Sequence, residues 1–296
     1  METKFEKENF FSQFNQRVLV CDGATGTNLL QRGLPPGIPA EQWLIDKPQE
    51  IKKLHQDFIE AGADIILTCS FGASPLRLKQ HGLDKIAEKI NHTAVQTAKS
   101  VTLKNTLVAG SIGPLGEMLT PYGTLNESDA IFNYSSQAKW LSDAGVDMLV
   151  IETQFDIHEA KIAVESALSV TDKPIICSFS YDRGTRTMMG VSPKIMATEF
   201  NESGIAAVGI NCGKSLDENL TTLLELRKST NLPIWFKPNA GLPQTDKQGL
   251  PYYDLTPEQM GESSAKWVQA GANIVGGCCG TSPEHLRNIT AKLKYF

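Results

Sequence analysis

Three of the six cysteines stand together in pattern if not in sequence: Cys212 in Gly209-Ile210-Asn211-Cys212-Gly213, and Cys278 and Cys279 in Gly276-Gly277-Cys278-Cys279-Gly280. Free cysteines are often small buried hydrophobes, and that reading stays open for them. A vicinal disulfide is disfavoured by ring strain and by a reducing compartment. As thiolates, the three suit Zn2+, which accepts sulfur in a tetrahedral site. Structural zinc sites normally close with four protein ligands, so a set of three leaves one position for something else. A thiol arriving there is lowered from a pKa of about 8.5 and held as a thiolate nucleophile at neutral pH. Three anionic sulfurs overbalance the charge of the metal and make it a poor Lewis acid for water. Thiol activation and alkyl transfer therefore fit better than hydrolysis.

Other chemistry-bearing residues fall in short segments that each follow an apolar run. Asp22 and Glu152 supply two carboxylates for a substrate ammonium, and the backbone N–H groups of Gly23, Ala24, Thr25 and Gly26 suit a substrate carboxylate. With the metal, these would read an amino acid bearing a thiol. Ser70, Phe71, Asn211 and Asn239 are further candidates for substrate contact. Plain structural roles stay open: an Asx turn or helix cap for Asp22, and a buried salt bridge for Glu152. The GATGT and GGCCGT segments lack both the Gly-Lys-Ser/Thr ending of a phosphate loop and the GxGxxG dinucleotide spacing. A phosphate at the last loop remains an alternative, since barrels often bind one there.

Positioning these groups takes a scaffold, and the periodicity supplies one. Eight apolar, β-rich runs are predicted as strands: Val18–Cys21, Asp64–Thr68, Thr106–Gly110, Asp147–Glu152, Pro174–Phe179, Ala206–Asn211, Pro233–Lys237 and Asn273–Gly276. Segments of helical spacing lie between them, from Gln49–Glu60 to Pro283–Lys294. Thr256-Pro257 and Ser282-Pro283 place a hydroxyl at the N-cap and proline at the first helical position. EAGADIIL, DAGVDMLV, ESGIAAVG and QAGANIVG repeat one device, a glycine that ends a helix and admits a strand. Eight βα units favour an α/β fold closed as a single-domain (β/α)8 TIM barrel over 18–296, with an N-terminal extension at 1–17. The candidate residues then share the C-terminal ends of the strands, where the loops converge on one mouth. The Gly23–Pro48 segment, rich in glycine and proline, is expected as one long loop wrapping an end of the barrel.

Composition narrows the partners. The chain has 296 residues, 41% of them hydrophobic, and a formal charge of -5, so it offers no basic field for nucleic acid or an anionic membrane. No apolar run approaches 18 residues, and the N-terminus lacks the apolar core of a signal peptide; a cytoplasmic protein is expected. Cys21, Cys69 and Cys177 are then packing residues.

DGATGTNLL, SFGAS, ETQFDIHEAK, GINCG, KPNAG and GGCCGTSPEHLRNI, in this order, resemble the homocysteine S-methyltransferase family, and most closely the homocysteine-binding module that opens cobalamin-dependent methionine synthases. The match runs from about residue 18 to 292. The resemblance implies a (β/α)8 barrel in which Cys212, Cys278 and Cys279 bind catalytic zinc and homocysteine is methylated to methionine. It further implies that Asp22 and Glu152 hold the homocysteine amino group and that Asn239 approaches the metal when substrate is absent. GEMLTPYG after the third strand leans toward the methionine synthase type, hence toward a methyl-corrinoid on a separate protein as external donor. Arg186-Thr187-Met188-Met189-Gly190 departs from the polar R-T-L-S-G of the family, and S-methylmethionine or betaine are the alternative donors. No folate-binding or corrinoid-binding module is expected in the sequence. Another thiol acceptor, or a non-catalytic zinc-binding partner of a corrinoid protein, are the competing functions.

Overall fold

A computed structural model of the chain describes residues 17–245 and 251–294; apart from Arg17, the predicted N-terminal extension lies outside them. The eight apolar runs form parallel strands: β1 (Leu19–Val20), β2 (Ile65–Leu67), β3 (Leu107–Ile112), β4 (Met148–Gln154), β5 (Ile175–Phe179), β6 (Ala207–Cys212), β7 (Ile234–Pro238) and β10 (Ile274–Val275). Their neighbour order is β1-β10-β7-β6-β5-β4-β3-β2, and the pairing of Cys21 with Ile65 joins β1 back to β2. The architecture is the expected (β/α)8 barrel. Closure is tight where β1 meets β10. A Cβ on Gly276 would sit 2.6 Å from the Cys21 carbonyl oxygen and 2.8 Å from that of Asp22, so only glycine lets the strands approach there.

The local signals act as their chemistry requires. Gly62, Gly145, Gly204 and Gly271, one in each repeat of the helix-to-strand device, all have positive φ. Thr256 and Gln259 form a reciprocal capping box at the start of helix Pro257–Gln269, and Ser282 with His285 does the same for Pro283–Leu293. Two departures from expectation concern loops. Gly23–Pro48 is not a plain loop: it holds a helix at Thr25–Gln31, a 3-10 turn at Ala40–Gln42 and a short helix at Trp43–Asp46. Leu29, Trp43 and Leu44 are buried, so tertiary packing stabilises turns too short to show a helical period. The loop after β7 carries an antiparallel pair, β8 (Pro243–Thr245) and β9 (Pro251–Tyr253), that proline-containing and mostly exposed segments do not announce.

Alternation along each strand divides the core in two. Leu19, Cys21, Ile65, Leu67, Ala109, Met148, Val150, Ile176, Ala207, Trp235 and Ile274 fill the barrel interior. The residues between them, such as Val20, Ile66, Leu149, Cys177 and Phe236, pack outward under the helices. Cys21, Cys69 and Cys177 are buried packing residues, and burial pushes all three thiols above their ordinary pKa.

Candidate active site

The inward-facing rows continue past the apolar interior to the C-terminal end of the barrel, where they turn polar. Beyond Ala109 comes Ser111, beyond Val150 comes Glu152, beyond Ile176 comes Ser178, and beyond Trp235 comes Lys237; Asn211 is in step with Ala207 on β6. All five are buried. On β4, Ile151 pairs with Cys177 but Gln154 with Phe179, so β4 takes one residue more than β5 and bulges at its end. Thr153 in that bulge has φ 62° and Cys212 has φ 57°; among the described residues these are the two non-glycine positions with positive φ. Such backbone persists only where surroundings over-determine it. Asn211 does so for Thr153. Its Oδ1 accepts the Thr153 N–H at 2.9 Å and the Ser178 hydroxyl at 2.6 Å, while its Nδ2 donates to Thr153 Oγ1 at 2.7 Å.

The three candidate ligand cysteines meet at this end. The Sγ atoms of Cys212, Cys278 and Cys279 lie within 4.8 Å of one another, each half-buried. Tetrahedral zinc with Zn–S bonds of about 2.3 Å sets sulfurs about 3.8 Å apart; Cys212 Sγ and Cys278 Sγ, 2.8 Å apart, would part by about 1 Å for the cluster to take a thiophilic divalent cation and leave one position open. Asn211 Nδ2 stands 3.6 Å from Cys212 Sγ and 3.8 Å from Cys278 Sγ, a donor to both. Asn239 staples the two cysteine loops: its Nδ2 donates to the Gly213 carbonyl at 2.8 Å and its Oδ1 accepts the Cys279 N–H at 3.0 Å. Tyr253, from β9, lays its ring against Gly280, and its hydroxyl helps to hold the Cys279 thiol down. Hydrogen bonds from Cys212 and Cys278 hold the Cys279 thiol well below its ordinary pKa, while hydrogen bonds with Cys278 and then Cys279 push Cys212 up.

Beside the sulfurs lies a buried charge group. Lys237 Nζ is 2.7 Å from Asp22 Oδ1, and both side chains are almost fully enclosed. Asp22 Oδ1 also lies 3.4 Å from the Cys21 thiol, and its Oδ2 accepts the Leu67 N–H at 2.7 Å. Burial alone would depress the lysine, but Asp22, Cys21 and Glu152 outweigh it and raise its pKa above the ordinary value, so it is an ammonium. Glu152 Oε1 accepts the Ser111 hydroxyl at 2.5 Å. Burial pushes its carboxyl up to about 7; Lys237 opposes this and Cys278 adds to it.

A family model described as homocysteine S-methyltransferase matches residues 19–293. The chain belongs to the homocysteine S-methyltransferase family. Its fold is similar to that of the homocysteine methyltransferase MmuM from Escherichia coli. In the metallated form the TM-score is 0.82 at 24% identity, over 95% of this chain and 98% of that one. In the oxidized form it is 0.79 at 25% identity, over 93% and 96%. The carboxyl transferase domain of Rhizobium etli pyruvate carboxylase shares the fold alone, with a TM-score of 0.57 at 12% identity over 97% of this chain and 48% of that one.

For a methyltransferase of this family, the residues singled out in the sequence divide into two sets. Cys212, Cys278, Cys279, Glu152, Asn211 and Asn239 converge on the mouth. Asp22 is there too, but as the partner of Lys237 rather than in an Asx turn or cap. Ala24 donates its N–H to the Thr281 carbonyl at 3.0 Å, which takes it out of the Gly23–Gly26 donor set, while the helix Thr25–Gln31 that opens in this segment has no side-chain cap. Ser70 is a buried strut, donating to the Ser111 carbonyl at 2.7 Å, and Phe71 is half-buried with the Arg77 guanidinium 5.5 Å from its ring centre. Lys237 and Tyr253 were given no role from the sequence. The signal for Lys237 was its alternation with Trp235, which aims a lysine into the barrel; nothing local marks Tyr253.

Proposed function

We propose that the protein is a zinc-dependent homocysteine S-methyltransferase that forms methionine, with a protein-borne methyl-corrinoid as donor. The observation that carries this reading is the Cys212–Cys278–Cys279 cluster at the barrel mouth, three sulfurs without a fourth protein ligand among the described residues. These cysteines would hold zinc, which when bound lowers the pKa of the acceptor thiol and keeps it as the nucleophile. Asn211 and Asn239 keep the three sulfurs in place, and the N–H of Asn211 tempers their charge. Glu152 and Asp22 form the anionic wall for the acceptor ammonium, and the N–H groups opening helix Thr25–Gln31 face its carboxylate. Held in this way, the acceptor sulfur attacks the methyl carbon, a new S–C bond forms, and the donor departs with the electron pair of the old bond. Proximity supplies the rate, and no base on the methyl side is needed.

The donor reading is supported by the loops that ring the mouth. Met118 and Tyr122 after β3, Met188 and Met189 after β5, and Leu242 and Tyr252 around the β8–β9 pair are large apolar side chains left exposed. Such a rim suits a docking protein better than a small hydrophilic cation. No helix of the described residues is long and apolar enough to cross a membrane, and three free thiols in one cluster suit the reducing cytoplasm.

The test is metal analysis followed by methionine assays with methylcobalamin, S-methylmethionine and betaine side by side. About one zinc per chain and turnover with methylcobalamin are expected. Protein that purifies without zinc, or Cys212→Ala that keeps metal and activity, refutes the zinc reading; turnover with betaine or S-methylmethionine alone refutes the donor.

A further inference from the structure

Of the three cluster cysteines, Cys212 alone has a left-handed backbone. Its φ of 57° is followed by 76° at Gly213, so the chain turns left-handed as it leaves β6. Relaxation of that turn would swing the Cys212 side chain, and with it the Sγ that lies 2.8 Å from Cys278 Sγ. Among the described residues, two donors converge on the Cys212 carbonyl: the Asn239 N–H at 3.2 Å and Asn219 Nδ2 at 2.8 Å. Asn219 is 1% exposed and stands fourth in helix Leu216–Ser229, behind the Ser215 cap. Asparagine is a poor helix former because its side chain competes for nearby backbone groups. Here that tendency is put to use, since the amide leaves its own helix and reaches back to the strand end. Its Oδ1 is pressed against Gly213, where a Cβ would collide with it. One side chain therefore closes both residues of the turn.

We propose that Asn219 is a positioning residue of the metal site: it holds Cys212 in left-handed backbone so that the Cys212 sulfur faces the cluster, and it ties helix Leu216–Ser229 to metal affinity. The inference rests on the zinc reading above and sharpens it. Asn219 acts through the Cys212 carbonyl and not on a reacting atom. Without its amide the carbonyl still accepts from Asn239, so no buried acceptor is orphaned and the metal-free fold loses little. The turn, however, loses one of its two restraints and relaxes, because a non-glycine residue keeps a positive φ only where its surroundings over-determine it. Binding of the cation then has to restore the turn, and the loss falls on affinity.

The experiment measures Zn2+ affinity of the full chain by competition with a chromophoric chelator, with Co2+ in place of Zn2+ to report site geometry through its visible absorption. Asn219→Leu, close to asparagine in volume but without the N–H, lowers Zn2+ affinity about tenfold to a hundredfold and weakens the absorption of the tetrahedral Co2+ site. Asn219→Ala, which cannot overpack, loses as much. Thr222→Val is the control on the same helix. Thr222 is buried and donates to the Glu218 carbonyl at 2.8 Å, so its loss disturbs the helix without touching Cys212, and affinity stays within about threefold of wild type. Asn219 variants that keep wild-type affinity and Co2+ absorption, with only the urea midpoint lowered, overturn the proposal while the zinc reading stands. An equal loss of affinity in Thr222→Val assigns the effect to the helix and not to the amide, and overturns it as well. Wild type that binds neither Zn2+ nor Co2+ overturns both readings together.

Discussion

Asn211→Ala tests whether the barrel end and the sulfur cluster are one mechanical unit. Asn211 makes three hydrogen bonds of 2.6–2.9 Å to Thr153 and Ser178, and its amide also faces two cysteine sulfurs. Truncation orphans the Thr153 N–H and the Ser178 hydroxyl, each at about 1–3 kcal/mol when no water replaces the lost partner. Relaxation of the bulge returns part of this, because Thr153 leaves a backbone region that costs on the order of 1–3 kcal/mol to hold. A net loss of about 3 kcal/mol follows. Removing the N–H donors to sulfur should cost about tenfold to a hundredfold in zinc affinity. Urea unfolding of the metal-free protein reads the first quantity, and competition with a chromophoric chelator reads the second. Ser178→Ala is the control: it removes one hydroxyl, leaves Asn211 bonded to Thr153, and should cost about 1 kcal/mol with zinc affinity nearly unchanged. If Asn211→Ala is destabilised while binding zinc as tightly as wild type, the amide serves the fold alone and the barrel end and the sulfur cluster are not coupled through it.

Glu152 gives a pH signature. Its native carboxyl, pushed up to about 7 mainly by burial, keeps a proton that the unfolded chain releases above 4.5, so metal-free protein loses stability as pH rises through that window. The loss is about 3 kcal/mol, and Glu152→Gln should remove it; equal urea midpoint differences between the two proteins at pH 5 and pH 8 would contradict this. Gly276→Ala forces a methyl group against the Cys21 and Asp22 carbonyls and should destabilise by more than about 2 kcal/mol while releasing zinc, since Cys278 follows two residues later. A variant with native melting and full metal content would show that β10 can shift without cost. In metal-free protein at pH 6, iodoacetamide should alkylate Cys279 first and leave Cys21, Cys69 and Cys177 untouched, with zinc protecting the cluster and Tyr253→Phe slowing the reaction; peptide mapping by mass spectrometry decides it.

Elements governed by neighbours in sequence were legible without coordinates. Apolar runs of four to six residues separated by helical periods predict the eight strands, because a strand covered on both faces excludes polar side chains whatever its partner is. Caps such as Thr256 with Gln259 lie within one turn, so their geometry is contained in the sequence. The cysteine cluster was legible for a related reason: a barrel delivers every strand end to the same mouth, so position along a strand already implies position in space.

Tertiary structure decided what depends on distance along the chain. Asp22 and Lys237 are 215 residues apart, and no local pattern tells a carboxylate that binds a ligand from one that binds a lysine. The β4 bulge depends on the register with β5, which the sequence of β4 does not contain. Tyr253 reaches Cys279 from an exposed strand pair with no hydrophobic alternation of its own. The sequence by itself determined the barrel, the three thiols and their shared mouth, because short-range patterning and one topological rule are enough for these. Which polar groups neutralise one another inside that mouth was decided only by the closed barrel, since burial makes pairing obligatory but leaves the choice of partner to packing.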